Sequence, residues 1–217
     1  MSKILVTGVA NSGKTSLLKN LKDVLVVSRD GKPFSLPLPH YNVADFVTID
    51  DMLSEMAQKL DAYKEKMDKS PATIAIDSVS RIFSDIETSC SRRFKGFDVW
   101  ANVNKEINTF LDAINELEMM GYNLVLVAHC VWDEKLGKYI ETCAGRFQKI
   151  GGFLSTVDTA LNIDVVGKKH IISHKGMNLA RTLLDDIPEK QEASEFNLQD
   201  YLDKLCNYSS NVTKWSI

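Results

Sequence analysis

Short apolar runs alternate along the chain with segments whose apolar residues recur every three or four positions. That alternation predicts strands interleaved with helices, an α/β architecture. Ile4–Thr7 is a β-rich run ending at a glycine, and Gly13–Leu21 follows with a helical pattern. Val24–Ser28, Ala72–Ile76 and Asn123–Ala128 are almost wholly apolar, as strands buried on both faces of a parallel sheet are. Residues 29–42 hold three of the prolines and read as a loop, with Val43–Ile49 a short strand after it. A helix is expected from Asp50 or Asp51, either of which could cap it, to about Asp68. The most regular helix carries Val99, Val103, Ile107, Phe110, Leu111, Ile114 and Leu117 and stops at Gly121. Thr88–Asp98 reads as a polar stretch. Past His129 the pattern gives a hairpin over Trp132–Ile140, a glycine-containing segment Gly145–Gly152, and strands near 157–166 and 169–174. The expected organisation is one domain over 1–188 and an acidic, partly helical tail over 189–217, with an amphipathic piece at Leu198–Leu205.

Between the first run and the first helix stands Gly8-Val9-Ala10-Asn11-Ser12-Gly13-Lys14-Thr15, which fits GxxxxGK[ST] at every fixed position. Glycines let the backbone turn tightly, so that successive N–H groups face phosphate oxygens. The helix that follows adds its positive end. Gly8, Ala10, Asn11, Ser12, Gly13, Lys14, Thr15 and Ser16 are therefore the phosphate-binding candidates, with Lys14 reaching the β- and γ-phosphates and Thr15 ligating Mg²⁺. A second acid for the metal is expected at the end of another buried strand, where open parallel sheets hold their ligands. Asp77, closing Thr73-Ile74-Ala75-Ile76, fills that position. Hydrolysis also needs a group that orients water and one that senses the γ-phosphate. Asp30 follows Val24–Ser28 and His129 follows Asn123–Ala128, so both stand at strand ends.

Composition narrows the setting. The 217 residues suit one ordinary domain, and 44% hydrophobic with 25% charged residues excludes wholesale disorder. No apolar run approaches the roughly 18 residues of a membrane span. Four separated cysteines without a CxxC pair suggest neither a disulfide framework nor a zinc knuckle, so a reducing cytoplasm is expected. A net charge of −3 argues against a protein coated in positive charge. Yet residues 135–181 hold eight basic against three acidic side chains, and 183–203 seven acidic against one basic. That suits either a polyanion site with a competing acidic segment or two solvated faces.

A P-loop, an acid after the second strand, an hhhhDS strand and a polar residue after the fourth strand together resemble the RecA-type ATPase core. More narrowly, the chain resembles the small RecA-like ATPases of bacteriophages, described as nucleotide-binding or single-strand annealing proteins. The resemblance covers about residues 3–188, and its more particular segments are Phe97-Asp98-Val99-Trp100, Ala128-His129 with Asp133 and Glu134, and Gly145-Arg146-Phe147 with the strand around Val157-Asp158. It implies a three-layer α/β P-loop NTPase with a mostly parallel central sheet, ATP and Mg²⁺ as cofactors, and single-stranded DNA as partner. Asp30 then takes the place of a catalytic glutamate, and His129 that of the switch residue coupling the γ-phosphate to a DNA-binding loop over 130–152. Lys135, Lys138, Arg146 and Lys149 would serve that loop, with Arg92, Arg93 and Lys95 as a second contact. Lys175 and Arg181 would offer a cationic finger to a neighbouring subunit, which implies a ring or filament. A phage gene would place the protein in the cytoplasm of a bacterial host.

Asp30 is one methylene shorter than the usual glutamate, which bears on the hydrolytic rate. Few aromatics beyond Trp132 and Phe147 stand in the basic loops to stack bases. A small GTPase is disfavoured because Asn104-Lys105-Glu106-Ile107 lacks the acid of a base reader. A nucleotide kinase would want an arginine-rich lid, for which Arg146 and Arg181 are thin. A nucleotide-gated binding module with little hydrolysis is the alternative from another class.

Overall fold

The computed structural model describes residues 1–143, 145–149, 151–176 and 179–213. Its strands are β1 (Lys3–Gly8), β2 (Val24–Ser28), β3 (His40–Asn42), β4 (Thr73–Asp77), β5 (Asn123–Asp133), β6 (Lys138–Glu141), β7 (Thr159–Val166), β8 (Lys169–Ser173) and β9 (Lys190–Glu192). The helices are α1 (Lys14–Leu17), α2 (Ile49–Met67), α3 (Val79–Arg93), α4 (Phe97–Met119), α5 (Gly145–Lys149) and α6 (Leu198–Thr213). One sheet runs β3-β2-β4-β5-β1-β7-β8-β9, with β6 folded back on β5. The ladders from β3 to β7 are parallel, and β8 and β9 close the edge antiparallel. This is the three-layer, mostly parallel α/β P-loop fold expected from the sequence.

Alternate residues of each strand supply opposite layers, as the pleat requires. Leu5, Val27, Ile74, Ile76, Leu124 and Leu126 face the cluster built with α2, α3 and α4. Ile4, Val6, Val26, Ala75, Val125 and Leu161 face the cluster built with α1 and α6. Phe83 sits at the centre of the first layer, with its ring 4.7 Å from Phe153 and 5.6 Å from Phe110.

Several elements differ from the expected pattern. The β3 strand lies at His40–Asn42, inside the expected loop, and Val43–Ile49 is no strand, because the chain must turn there into α2. Thr48, rather than Asp50 or Asp51, caps α2 through a reciprocal pair with Asp51. The α3 helix runs through residues given no helix by the pattern, although Val79, Ile82, Phe83, Ile86 and Cys90 recur at helical spacing and Ser78 caps it. The β5 strand does not close at His129 but continues to Asp133, because its last four residues pair with β6. The described residues after 188, expected as an acidic and partly helical tail, pack onto the domain. Lys190–Glu192 completes the sheet, and Phe196, Leu198, Tyr201, Leu202 and Leu205 are buried against it. The acids point outward and the apolar stripe inward, so charge alone conceals the packing.

Candidate nucleotide site

The strand order fixes which side chains meet. All parallel strands end on one side, so neighbours in the sheet present their carboxyl ends together. The P-loop leaves β1, beside it stands β5 with His129, then β4 with Asp77, then β2 with Asp30. A cavity of about 340 Å³ lies between them, lined by Asn11, Lys14, Thr15, Asp30, Asp77 and His129 among others.

The P-loop backbone is tightly constrained at its two motif glycines. A Cβ at Gly8 would stand 2.4 Å from both the Ile163 carbonyl and the Ser12 hydroxyl, so no side chain fits there. Gly13 turns left-handed at φ 94°, the conformation glycine adopts freely, just before α1 begins. Lys14 is buried and folds its ammonium onto the Gly8 and Val9 carbonyls at 2.9 and 2.8 Å. Burial holds its pKa below the ordinary lysine value, although Cys130, Asp77 and Asp30 oppose that shift. The Ser12 hydroxyl is buried in the loop with no hydrogen-bond partner among the described residues.

Thr15 Oγ1 donates to Asp77 Oδ2 at 2.6 Å, across 62 positions of sequence. Asp77 is buried, and desolvation raises its pKa, with the nearby Asp30 charge adding to the shift and Thr15 and Lys14 countering it. His129 Nε2 stands 3.5 Å from Asp30 Oδ1. Burial, then the Lys14 charge, lowers the histidine pKa, and Asp30 pulls the other way, so the ring is neutral at ordinary pH. The main chain of His129 is held on both sides: its N–H donates to Ser80 Oγ at 2.9 Å, and its carbonyl accepts from Thr142 N at 2.9 Å and Oγ1 at 3.0 Å.

These residues fit Mg²⁺ and a nucleoside triphosphate. An orphaned hydroxyl and a lysine resting on carbonyls are groups that phosphate oxygens can satisfy. No three His, Cys, Asp or Glu cluster as a metal cage among the described residues. A hydroxyl and one carboxylate, completed by water and phosphates, match the sparse protein ligation magnesium prefers.

A family model described as an AAA domain matches residues 1–168. The chain belongs to the AAA domain family. It thus carries an AAA-type P-loop ATPase domain, with the matched region spanning β1 to the β7–β8 turn. No curated protein matches the sequence. Among solved structures, a KaiC-like protein of the hyperthermophilic archaeon Pyrococcus horikoshii is similar at 13% identity and a TM-score of 0.47, covering 88% of this chain and 84% of that one.

The remaining expected residues of this AAA domain scatter. Lys135 and Lys138 are exposed on the β5–β6 hairpin beside Trp132, whose ring meets Tyr139 edge-on at 5.2 Å. Lys149 is exposed on α5, whereas the side chain of Arg146 lies outside the described residues. Arg92 and Lys95 are exposed where α3 gives way to α4. Arg93 is instead spent on Glu106 at 3.0 Å and lies over the Phe94 ring.

The expected finger residues are also engaged. Arg181 donates to the Leu154 carbonyl at 2.7 Å and to that of Val157. Its backbone bridges Ala160, which pairs with Leu5, three residues short of the P-loop end of β1. Lys175 donates to the Asp185 carbonyl at 3.1 Å.

Sequence reading missed Lys32, Pro33, Phe34 and Ser35, which line the cavity from the loop after β2. It also missed Arg29, which clamps that strand end through Asp85 at 2.8 Å, Asp45 at 2.6 Å and the Val43 carbonyl. His170 is a third omission, its Nδ1 lying 2.8 Å from the Ser12 carbonyl. Gly31-Lys32-Pro33 was a usable turn signal; the partners of Arg29 and His170 are too distant in sequence to read.

Proposed function

We propose that this chain binds ATP with Mg²⁺, hydrolyses it, and couples turnover to single-stranded DNA, as the phage RecA-like ATPases it resembles do in recombination or annealing. Its setting would be the cytoplasm of a bacterial host, and its working form a homo-oligomeric ring or filament. The carrying observation is the convergence of Thr15, bonded to Asp77, with Lys14, Asp30 and His129 around one cavity.

Lys14 gives up its two carbonyl partners and neutralises phosphate oxygen as charge develops there. Thr15 and Asp77 would hold Mg²⁺, which would supply further neutralisation when bound. Asp30 orients the attacking water and accepts its proton. His129, beside Asp30, responds to the γ-phosphate and passes its position through its own carbonyl to Thr142, and so to the hairpin and α5. Lys135, Lys138 and Lys149, with Trp132 as a stacking surface, are the groups on that side that suit a single strand. Arg92 and Lys95 are a second set. Arg181 would have to leave its carbonyls, and Lys175 its own, to serve a neighbour.

ATP turnover with and without single-stranded DNA tests this. Wild type should turn over, faster with DNA, and Lys14→Ala should lose about 100-fold or more. Absence of both turnover and nucleotide binding in wild type would end the proposal. The gated-binding alternative draws on Asp30, a short acid already beside His129. DNA binding that requires a non-hydrolysable ATP analogue, falls with salt and occurs without turnover would favour it.

A further inference from the structure

We propose that Lys32 contacts the terminal phosphate of the bound triphosphate from within the same chain, so that the cation facing Lys14 comes from this subunit. The inference rests on the cavity's being a triphosphate site, and it concerns a residue that the P-loop motif does not contain.

Lys32 sits on an eleven-residue excursion, 29–39, that leaves β2 at Ser28 and returns to it where Val26 N–H bonds the Pro39 carbonyl at 2.9 Å and β3 begins. Its first turn is shaped on both sides of the lysine. Gly31 is left-handed at φ 71° with open space around it. Pro33 fixes its own φ and restricts Lys32 to extended backbone, which limits where the side chain can go. The far part is fastened down: Phe34, Leu36 and Leu38 pack against the layer containing α1, and Phe34 lies 4.8 Å from the His40 ring. A loop anchored by apolar side chains presents its lysine to the cavity without having to close first.

The placement selects the phosphate end. Moving along the sheet from the P-loop, the cavity passes His129 on β5 and Asp77 on β4, and ends at Asp30 and Lys32 beyond β2. Lys32 is also close enough that its charge depresses the His129 pKa. No ion pair or hydrogen bond holds its ammonium among the described residues.

Charge balance points the same way. Asp30 and Asp77 face the cavity with Lys14 and Lys32, while His129 is neutral. Before Mg²⁺ binds and without Lys32, the lining holds one more carboxylate than lysine, so Lys32 adds to Lys14 and the metal in neutralising a polyanion. Lys175 and Arg181 cannot take that part as placed, since each is bonded to carbonyls of its own chain.

Isothermal titration with Mg-ADP and with a magnesium-bound non-hydrolysable ATP analogue distinguishes the outcomes. Lys32→Ala should weaken the analogue about tenfold and ADP by less than about twofold, and Lys32→Arg should recover most of the loss. Lys32 is exposed, so both variants should melt with wild type. Equal loss for both nucleotides, or none, overturns the assignment while wild-type binding that Lys14→Ala abolishes keeps the triphosphate reading. A wild type that binds neither nucleotide overturns both.

Discussion

Two carboxylates are buried to nearly the same degree, Asp77 with 3% and Glu141 with 5% of its surface exposed, and they show how similar burial serves different ends. Desolvation pushes both toward the protonated form, Glu141 to about 7. Glu141 is answered by the fixed backbone N–H groups of Phe153 at 2.5 Å and Leu154 at 2.8 Å, which open the turn Gly152–Thr156. A Cβ on Gly152 would come within 2.2 Å of its Oε2, so the chain is moulded around the carboxylate. Asp77 has a rotatable hydroxyl as its partner and a cavity in front of it. Backbone donors cannot be exchanged without undoing the fold. A hydroxyl can turn to another ligand, which suits Asp77 to the working role proposed for it and Glu141 to that of a structural clasp.

The contrast should be widest in paired variants. Asp77→Asn keeps the shape, removes the charge a metal needs, and should cut ATP turnover by about 10²–10³. Its melting temperature should not fall, because a neutral amide escapes the desolvation that burdens the carboxylate. Turnover assays beside thermal melts check this, and a variant that melts low yet turns over normally would reverse the assignment.

Glu141→Ala should do the opposite. It leaves two amides without an acceptor, at a cost of about 3 kcal/mol, and lowers the melting point by roughly 6–12 °C. Turnover by the folded fraction should persist.

The difference between the two acids also explains what could be read beforehand. Asp77 is legible because its evidence is local: four strand-forming residues, then an acid, in a chain with a P-loop. Glu141 is not, since its donors lie 12 and 13 positions away across a segment of weak pattern. Lys32 is hidden in the same way, because a proline-rich loop does not announce which surface it will cover. The buried stripe of α6 was visible at Leu198, Tyr201, Leu202 and Leu205, but the surrounding acids made the segment resemble a solvated tail. Composition reports what faces water. Periodicity reports what does not.

Acidity offers a gentler probe. The pKa of Glu141 is about 7 against an ordinary 4.5, so the native state binds the proton more tightly than the unfolded chain. Its effect on stability is therefore unfavourable as pH rises through that window and complete above about 7. Relative to Glu141→Gln, wild type should lose roughly 1–3 kcal/mol between pH 5 and pH 8, read from urea midpoints. The comparison between the two proteins cancels His174, whose pKa burial lowers to about 4 and which acts in the opposite direction, destabilising the native state as pH falls from about 6.5. A difference that is flat with pH would show that the clasp is already satisfied without its proton.

The smallest effect comes from Thr15→Val, which removes the donor at Asp77 and nothing else of that acid's surroundings. At pH 7 the loss of one hydrogen bond to a carboxylate should cost about 1.5 kcal/mol. Because the raised pKa of Asp77 means that its ionised form is the disfavoured one in the native state, removing Thr15 raises it further. The deficit should then shrink as acid protonates Asp77, since a neutral carboxyl needs the hydroxyl less. Urea midpoints of the two proteins at descending pH would converge if the Thr15 bond acts on the charged acid. Parallel curves would mean that the threonine merely packs, and the working acid would lose the exchangeable partner that sets it apart from the clasp.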